Sequence, residues 1–260
     1  MFDAQIYFLG LVVALALPSL AWLVSLLKRD VSIVDSLWSL IFLALCATYF
    51  VLNEFATQRG MIVLALVALW AIRLSAHITW RNWGEPEDAR YQAMRRKHSP
   101  NFALKSLGIV FLLQGTLAWI ISLPLHAATT GSIPLNTIDM LAIALVVFGI
   151  TFEGIADAQL AAFKASPENR GKVMDTGLWR YTRHPNYFGE CCVWWGFYLF
   201  AIAAGGWWSV LSPVLMTFLL LRVSGVALLE KDIAERRPAY RDYISRTNAF
   251  IPGPVRHTES

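Results

Sequence analysis

The sequence predicts an all-α, polytopic membrane protein that crosses the bilayer seven times. Of its 260 residues, 57% are hydrophobic and only 15% are charged, and the mean hydropathy is +0.50. A water-soluble globular domain does not tolerate so apolar a composition. The second observation is a series of seven mostly apolar stretches, each near the roughly 20 residues that a spanning helix needs. They cover about 5–27, 31–52, 61–80, 104–125, 138–163, 187–204 and 208–230.

The first stretch is expected to remain as a spanning helix and not to be removed as a signal peptide. No basic segment precedes it, and its apolar run is longer than that of a signal peptide. Lys28 and Arg29 follow the stretch, on the side where a signal peptide carries its cleavage site.

Lysine and arginine are concentrated in alternate connections between these stretches. The first, third and fifth connections and the C-terminal tail contain most of them, whereas Arg59 is the one cation in the second connection. The connections at 126–137 and 205–207 contain none. Because cationic loops face the cytoplasm, we expect the N-terminus outside and the C-terminus in the cytoplasm.

One domain is predicted over 1–260, because the chain has no internal repeat, no low-complexity run and no long linker. Its last part, 231–260, is predicted to form a cytoplasmic tail. Ile233, Tyr240 and Tyr243 recur there among charged residues. This pattern predicts an amphipathic helix that lies against the membrane face.

Several ionisable residues fall inside the apolar stretches, where a charge is costly unless it is paired or hydrated. Asp35 lies one turn into the second stretch. The others share helical faces, at spacings of four, seven or eight residues: Arg73 and His77; Glu153, Asp157 and Lys164; Arg222 and Glu230. Together they predict a polar cavity that opens to the cytoplasm. The alternative is a set of structural ion pairs between helices, in which Asp35 pairs with Arg73, and Arg222 pairs with Glu153 or Asp157.

The densest polar stretch is 175–190, with the sequence DTGLWRYTRHPNYFGE. Pro185 suits the first position of a helix, and the N–H groups and dipole at such a helix end favour an anion. Three residues are expected around this end: Arg183, His184 and Asn186. Arg180 and Arg183 suit a phosphate, and Glu190 would lie one turn inside the membrane. These residues predict a phosphate-bearing cofactor; the alternative is a cationic anchor followed by a helix that begins at proline.

The run GLWRYTRHPNYFGE at 177–190, called the signature run below, resembles the C-terminal signature of the steroid 5α-reductase family and of related bacterial membrane proteins of unassigned function. The resemblance extends over roughly 30–255 and is strongest over 149–198, and the segment TNAFIP at 247–252 resembles the family's terminal segment. It implies a seven-helix fold, a cytoplasm-facing NADPH cavity, and reduction of a carbon–carbon double bond conjugated to a ketone.

The resemblance also implies roles for individual residues. Asp35 best matches the family's catalytic Glu. The family's Asn on helix five appears here as Glu153, and two Tyr positions on helix three appear as Trp70 and His77. The predicted catalytic residues are Asp35, Trp70 and His77. The predicted cofactor-binding residues are Arg73, Glu153, Asp157, Lys164, Lys172, Arg180, Arg183, His184, Asn186, Glu190 and Glu230. The resemblance therefore implies NADPH binding more directly than activity on 3-oxo-steroids.

In the predicted mechanism, the cofactor enters from the cytoplasm and a lipophilic enone enters from the bilayer. The phosphates are expected at four cations: Lys164, Lys172, Arg180 and Arg183. The nicotinamide end is expected at Arg73, Asn186 and Glu190. Asp35 and His77 would polarise or protonate the carbonyl oxygen, while Trp70 has an indole N–H that donates a hydrogen bond without transferring a proton.

Other partners are not expected from the sequence. The five histidines lie far apart and the three cysteines lack metal-ligand spacing, so no metal is predicted. The predicted partners are the lipid bilayer and a lipophilic small molecule, without nucleic acid, and the protein is expected as a monomer in a bacterial inner membrane. Two other functions stay open: an S-adenosylmethionine-dependent methyltransferase, because that branch shares the Arg-His-Pro-x-Tyr-x-Gly run, and a non-enzymatic transporter.

Overall fold

The computed structural model describes residues 2–53, 57–223, 225–226, 230 and 238–256, and all regular structure in these ranges is helical. The all-α class predicted from composition is therefore confirmed. The helical conformation is of the π type over Leu107–Leu112 and over Leu219–Val223. The helices are α1 (Ala4–Lys28), α2 (Ile33–Leu52), α3 (Gln58–Asn82), α4 (Ala89–His98), α5 (Phe102–Ile121), α6 (Leu123–Thr130), α7 (Thr137–Ala165), α8 (Pro185–Ala203), α9 (Trp207–Val223) and α10 (Ala239–Arg246).

Among the described residues, five helices are long and apolar enough to cross a membrane: α1, α2, α3, α5 and α7. They correspond to the first five predicted spans, so the chain is a multi-pass membrane protein. The two remaining spans predicted from sequence overlap α8 and α9, and α9 is shorter than a usual span. The count of seven crossings and their orientation stay predictions.

The chain divides into two compact units. The first comprises Met1–Asp139 with Tyr198–Ser212, and the second comprises Met140–Phe197 with Pro213–Ser260.

In the first unit, α1 packs on α2 and α5, and α2 packs on α3. Asp3 caps α1, because its carboxylate accepts a hydrogen bond from the N–H of Ile6 at 3.0 Å. The hydroxyl of Ser39 donates to the carbonyl of Ala71 at 2.8 Å, which joins α2 to α3 in a fully buried place. A buried hydroxyl in an apolar bundle needs such a partner.

Arg59 forms a deeply buried ion pair in the first unit. Its Nε and Nη2 donate to the two carboxylate oxygens of Asp139 at 2.7 and 2.8 Å, and both residues are almost completely buried. Two more bonds reach the carbonyls of Ile133 and Pro134. Arg59, the one cation in the second connection of the sequence, therefore joins the start of α3 to the start of α7.

In the second unit, two glycines let α7 and α8 approach closely. A Cβ atom added at Gly149 would lie 2.6 Å from the carbonyl oxygen of Gly189, and one added at Gly189 would lie 2.7 Å from the backbone nitrogen of Glu153. Only hydrogen at these positions permits the approach. The contact brings the polar residues of α7 beside those at the start of α8.

Candidate functional site

The predicted site residues fall into two sets, one in each compact unit. The first unit contains Asp35, Trp70, Arg73 and His77. The second contains Glu153, Asp157, Lys164, Lys172, Arg180, Arg183, His184, Asn186, Glu190 and Glu230.

Asp35 holds α4 against the start of α2. Its two carboxylate oxygens accept hydrogen bonds from Nη2 of Arg90 at 2.8 Å and from the hydroxyl of Tyr91 at 2.6 Å. The Asp35 side chain is 17% exposed. Both of these donors belong to α4.

A second set of contacts holds the connection before α4. The carboxylate of Glu87 accepts from the backbone N–H of Val31 at 3.0 Å and from Arg95 at 2.7 and 2.9 Å. The Ser32 hydroxyl accepts no hydrogen bond from an N–H of α2, and it accepts instead from the N–H of Asp88 at 2.8 Å. Burial acts to raise the pKa of Glu87, but the bonds from Arg95 and Val31 outweigh it and hold that pKa below its ordinary value.

Trp70, Arg73 and His77 lie along one side of α3. Trp70 is completely buried, with its ring 5.9 Å from that of Phe42, whereas Arg73 and His77 are half-buried. The ring of His77 lies 6.1 Å from that of Trp80. The predicted i, i+4 arrangement of Arg73 and His77 therefore lies within a continuous helix.

An open, mostly apolar groove of about 440 Å³ runs along the C-terminal half of α3. This volume lies within the range of small-molecule pockets. Its lining residues are Leu40, Ile72, Ser75, Ala76, Thr79, Trp80 and Trp83. Several of its lining residues are sequence neighbours of Arg73 and His77, and the groove lies wholly within the first unit.

In the second unit, the predicted helix start at Pro185 is confirmed. The amide Nδ2 of Asn186 lies 3.4 Å from Oδ1 of Asp157, within hydrogen-bond reach. Glu153 and Glu190 are also buried, at 2% and 8% exposure. Three carboxyl groups and one carboxamide are thus buried or half-buried along the contact between α7 and α8.

Arg183 and His184, by contrast, are held by Glu230. Nε and Nη2 of Arg183 donate to the two Glu230 oxygens at 2.7 and 2.8 Å, and Nε2 of His184 contacts Oε1 at 2.8 Å. Nη1 of Arg183 donates to the carbonyls of Thr247 and Ile244. The Arg183 guanidinium is therefore largely occupied by its own chain, and its first role is to orient the signature run.

The tail completes this arrangement. The N–H of Arg183 donates to the carbonyl of Asn248 at 2.9 Å, and the hydroxyl of Thr182 donates to the carbonyl of Phe250 at 2.8 Å. Thus the terminal segment at 247–252 is hydrogen-bonded to the signature run, which links the two segments that carry the family resemblance.

The apolar side of α10 faces protein. Tyr240 and Tyr243 are buried, and the Tyr243 hydroxyl donates to the carbonyl of Trp179. Residues 231–237 and 257–260 of the predicted amphipathic tail lie outside the described residues.

Three predicted phosphate-binding cations are exposed, in contrast to buried Arg183: Lys164, Lys172 and Arg180. Sequence reasoning missed the residues that hold the two sets in place: Arg90 and Tyr91 in the first unit, and Tyr243 in the second. The run Asp88-x-Arg90-Tyr91 places an acid, a cation and a phenol side by side in a cationic connection, which is a signal that pointed to ion pairing.

Comparison with known proteins gives a family without an assigned activity. A family model described as "Protein of unknown function (DUF1295)" matches residues 21–247. A protein of Schizosaccharomyces pombe named "Uncharacterized protein C594.04c" is 26% identical over 281 aligned positions, which cover 96% of this chain and 81% of the relative. No solved structure matches the chain significantly.

Proposed function

Because the chain belongs to the family described as "Protein of unknown function (DUF1295)", we propose its function from its own residues. The proposal is a membrane-embedded, NADPH-dependent reductase, similar to steroid 5α-reductases, that reduces the conjugated double bond of a lipophilic enone. The observation that carries it is the contact between α7 and α8, where the Asn186 amide lies 3.4 Å from Asp157 and beside the buried Glu153 and Glu190.

The chemistry of this residue set fits a dinucleotide. Carboxylates accept hydrogen bonds from ribose hydroxyls and from a carboxamide N–H, and an asparagine side chain both donates and accepts. The exposed cations Lys164, Lys172 and Arg180 suit phosphates. Arg183, His184 and Glu230 take a positioning role in this proposal, because they fix the turn before α8, the helix that carries Asn186 and Glu190.

Bound NADPH supplies hydride chemistry. In the proposed mechanism, Asn186 and Glu190 would bind the nicotinamide end, and the exposed cations would neutralise the phosphates. His77 donates a proton or a hydrogen bond to the carbonyl oxygen, and Asp35 aligns the neighbouring α4 residues. The apolar groove along α3 gives a lipophilic substrate access from the bilayer.

The proposal includes the finer topology expected from the sequence. Helices α8 and α9 are the sixth and seventh crossings, the N-terminus is outside, and the cofactor site and tail face the cytoplasm of a bacterial inner membrane. The protein acts as a monomer.

The test is a thermal-unfolding titration of the detergent-purified protein with NADPH, NADH and S-adenosylmethionine. A ligand at 100 times its Kd stabilises the folded state by about 2.7 kcal/mol, so NADPH should raise the unfolding temperature by several degrees. Asn186→Ala should reduce this shift, whereas Asn101→Ala, an exposed asparagine of the first unit, should retain it. Stabilisation by S-adenosylmethionine alone would favour a methyltransferase, and no shift with any ligand would reject a nucleotide cofactor.

A further inference from the structure

The ends of three helices meet at one corner of the first unit. Nη2 of Arg95 in α4 donates to the carbonyl of Arg29, just beyond α1, at 3.3 Å. The indole N–H of Trp22 in α1 donates to the carbonyl of Ala103 in α5 at 2.8 Å. The end of α1, the last turn of α4 and the start of α5 are therefore neighbours.

This corner, called the cationic corner below, carries exposed positive charges from all three helix ends. Its members are Lys28, Arg29, Arg96, Lys97 and Lys105. The sequence contains no acidic residue between Asp88 and Asp139. The neighbouring Asp30 is half-buried, and its carboxylate accepts from the N–H of Ser32 at 2.8 Å, while Glu87 is bonded to Arg95. The corner is therefore strongly positive.

Exposed leucines adjoin these cations. Leu23 and Leu27, on one face of α1, are 51% and 87% exposed, and Leu104 at the start of α5 is 69% exposed. Both helices are long and apolar enough to span a membrane. Leucine side chains favour the hydrocarbon layer of the membrane, and the cations at the helix ends reach the headgroup layer.

We propose that the cationic corner is a binding site for an anionic phospholipid. The headgroup phosphate is bound by Lys97, Lys105 and the two cations at the end of α1, Lys28 and Arg29. The acyl chains lie along Leu23, Leu27 and Leu104. Charge complementarity selects the anionic headgroup, because each Lys or Arg near an anionic membrane surface strengthens binding about fivefold. A lipid bound here also stabilises α4, whose Arg95 is bonded to the same corner. This site is independent of the proposed reductase function.

The experiment measures lipid binding to the full chain in detergent, by native mass spectrometry and by thermal unfolding. The probes are phosphatidylglycerol and phosphatidylcholine with identical acyl chains. We expect at least tenfold tighter binding of phosphatidylglycerol to the wild-type protein. The double substitution Lys97→Gln with Lys105→Gln should weaken phosphatidylglycerol binding roughly 30-fold and leave phosphatidylcholine binding unchanged.

The matched control, Arg170→Gln with Arg241→Gln, removes two exposed cations of the second unit and should leave the preference intact. Equal binding of the two lipids to the wild type, or an equal loss in both double variants, would overturn the proposal. So would equal stabilisation by free glycerol phosphate, or displacement of the lipid by excess NADPH, which would identify a soluble phosphate compound as the occupant. If the Lys97 and Lys105 variant does not fold, the wild-type comparisons alone decide.

Discussion

Replacing Glu230 by glutamine removes the negative charge that holds two residues of the signature run. The carboxylate accepts two hydrogen bonds from Arg183, at 2.7 and 2.8 Å, and contacts His184 at 2.8 Å. The side chains of Arg183 and Glu230 are 8% and 16% exposed. Removal of one partner from a buried ion pair costs about 3–5 kcal/mol. Because glutamine retains one acceptor and the pair is not fully buried, we expect Glu230→Gln to cost about 2–3 kcal/mol.

Thermal unfolding of the detergent-purified protein, followed by tryptophan fluorescence, measures this loss. For a chain of this size, 2–3 kcal/mol lowers the midpoint by roughly 4–12 °C. The matched control is Asp242→Asn, which removes an exposed carboxylate bonded to Arg246 at 2.9 Å and should cost less than about 0.5 kcal/mol. Equal midpoints for the two variants would refute the reasoning. A second substitution, Arg183→Gln, should cost less in the Glu230→Gln background than in the wild type, because the ion pair is already lost there and only the bonds from Arg183 to the carbonyls of Ile244 and Thr247 remain to be removed.

Three further predictions concern the first unit. Arg59→Met should lower the free energy of unfolding, measured with denaturant, by about 3–5 kcal/mol, because it leaves Asp139 buried without its counter-charge. Adding the substitution Asp139→Leu should restore part of this loss. The folded-state pKa of Glu87 lies below its ordinary value, so the stabilisation by its bonds with Arg95 is present above about pH 4.3 and is lost as the pH falls through the folded pKa. Glu87→Gln should therefore destabilise the protein at pH 7, and the difference from the wild type in unfolding temperature should shrink as the pH falls through the folded pKa. Asp35→Asn should increase protease cleavage within α4, and unchanged cleavage would contradict the role of Asp35 in holding that helix.

Features that depend on neighbouring residues could be predicted from the sequence. The first five spans correspond to long apolar helices, because hydropathy over about 20 residues determines whether a segment can cross a membrane. Pro185 begins α8, because its ring fixes a helical φ and its missing N–H is not needed at that position. Both properties are local.

Partners distant in sequence could not be predicted in the same way. The sequence offers Asp35 as an acid or as a partner of Arg73, and it gives no indication of the bonds from Arg90 and Tyr91, 55 and 56 residues away. A buried carboxylate needs a hydrogen-bond donor. The sequence contains several suitable donors and does not indicate which of them binds Asp35. Only the packing of α4 against α2 selects among them.

The hydrogen bonds between the tail and the signature run set an order of events during synthesis. Arg183 donates a hydrogen bond to the carbonyl of Thr247, a residue that is synthesised 64 residues after it. At translation rates of about 5–20 residues per second, the ribosome adds this length in roughly 3–13 s. During that interval all residues of the helices that precede the signature run have been synthesised, but the residues whose carbonyl groups bind Arg183 have not. The final geometry of this turn is therefore acquired late, after the apolar helices of the first unit have left the ribosome.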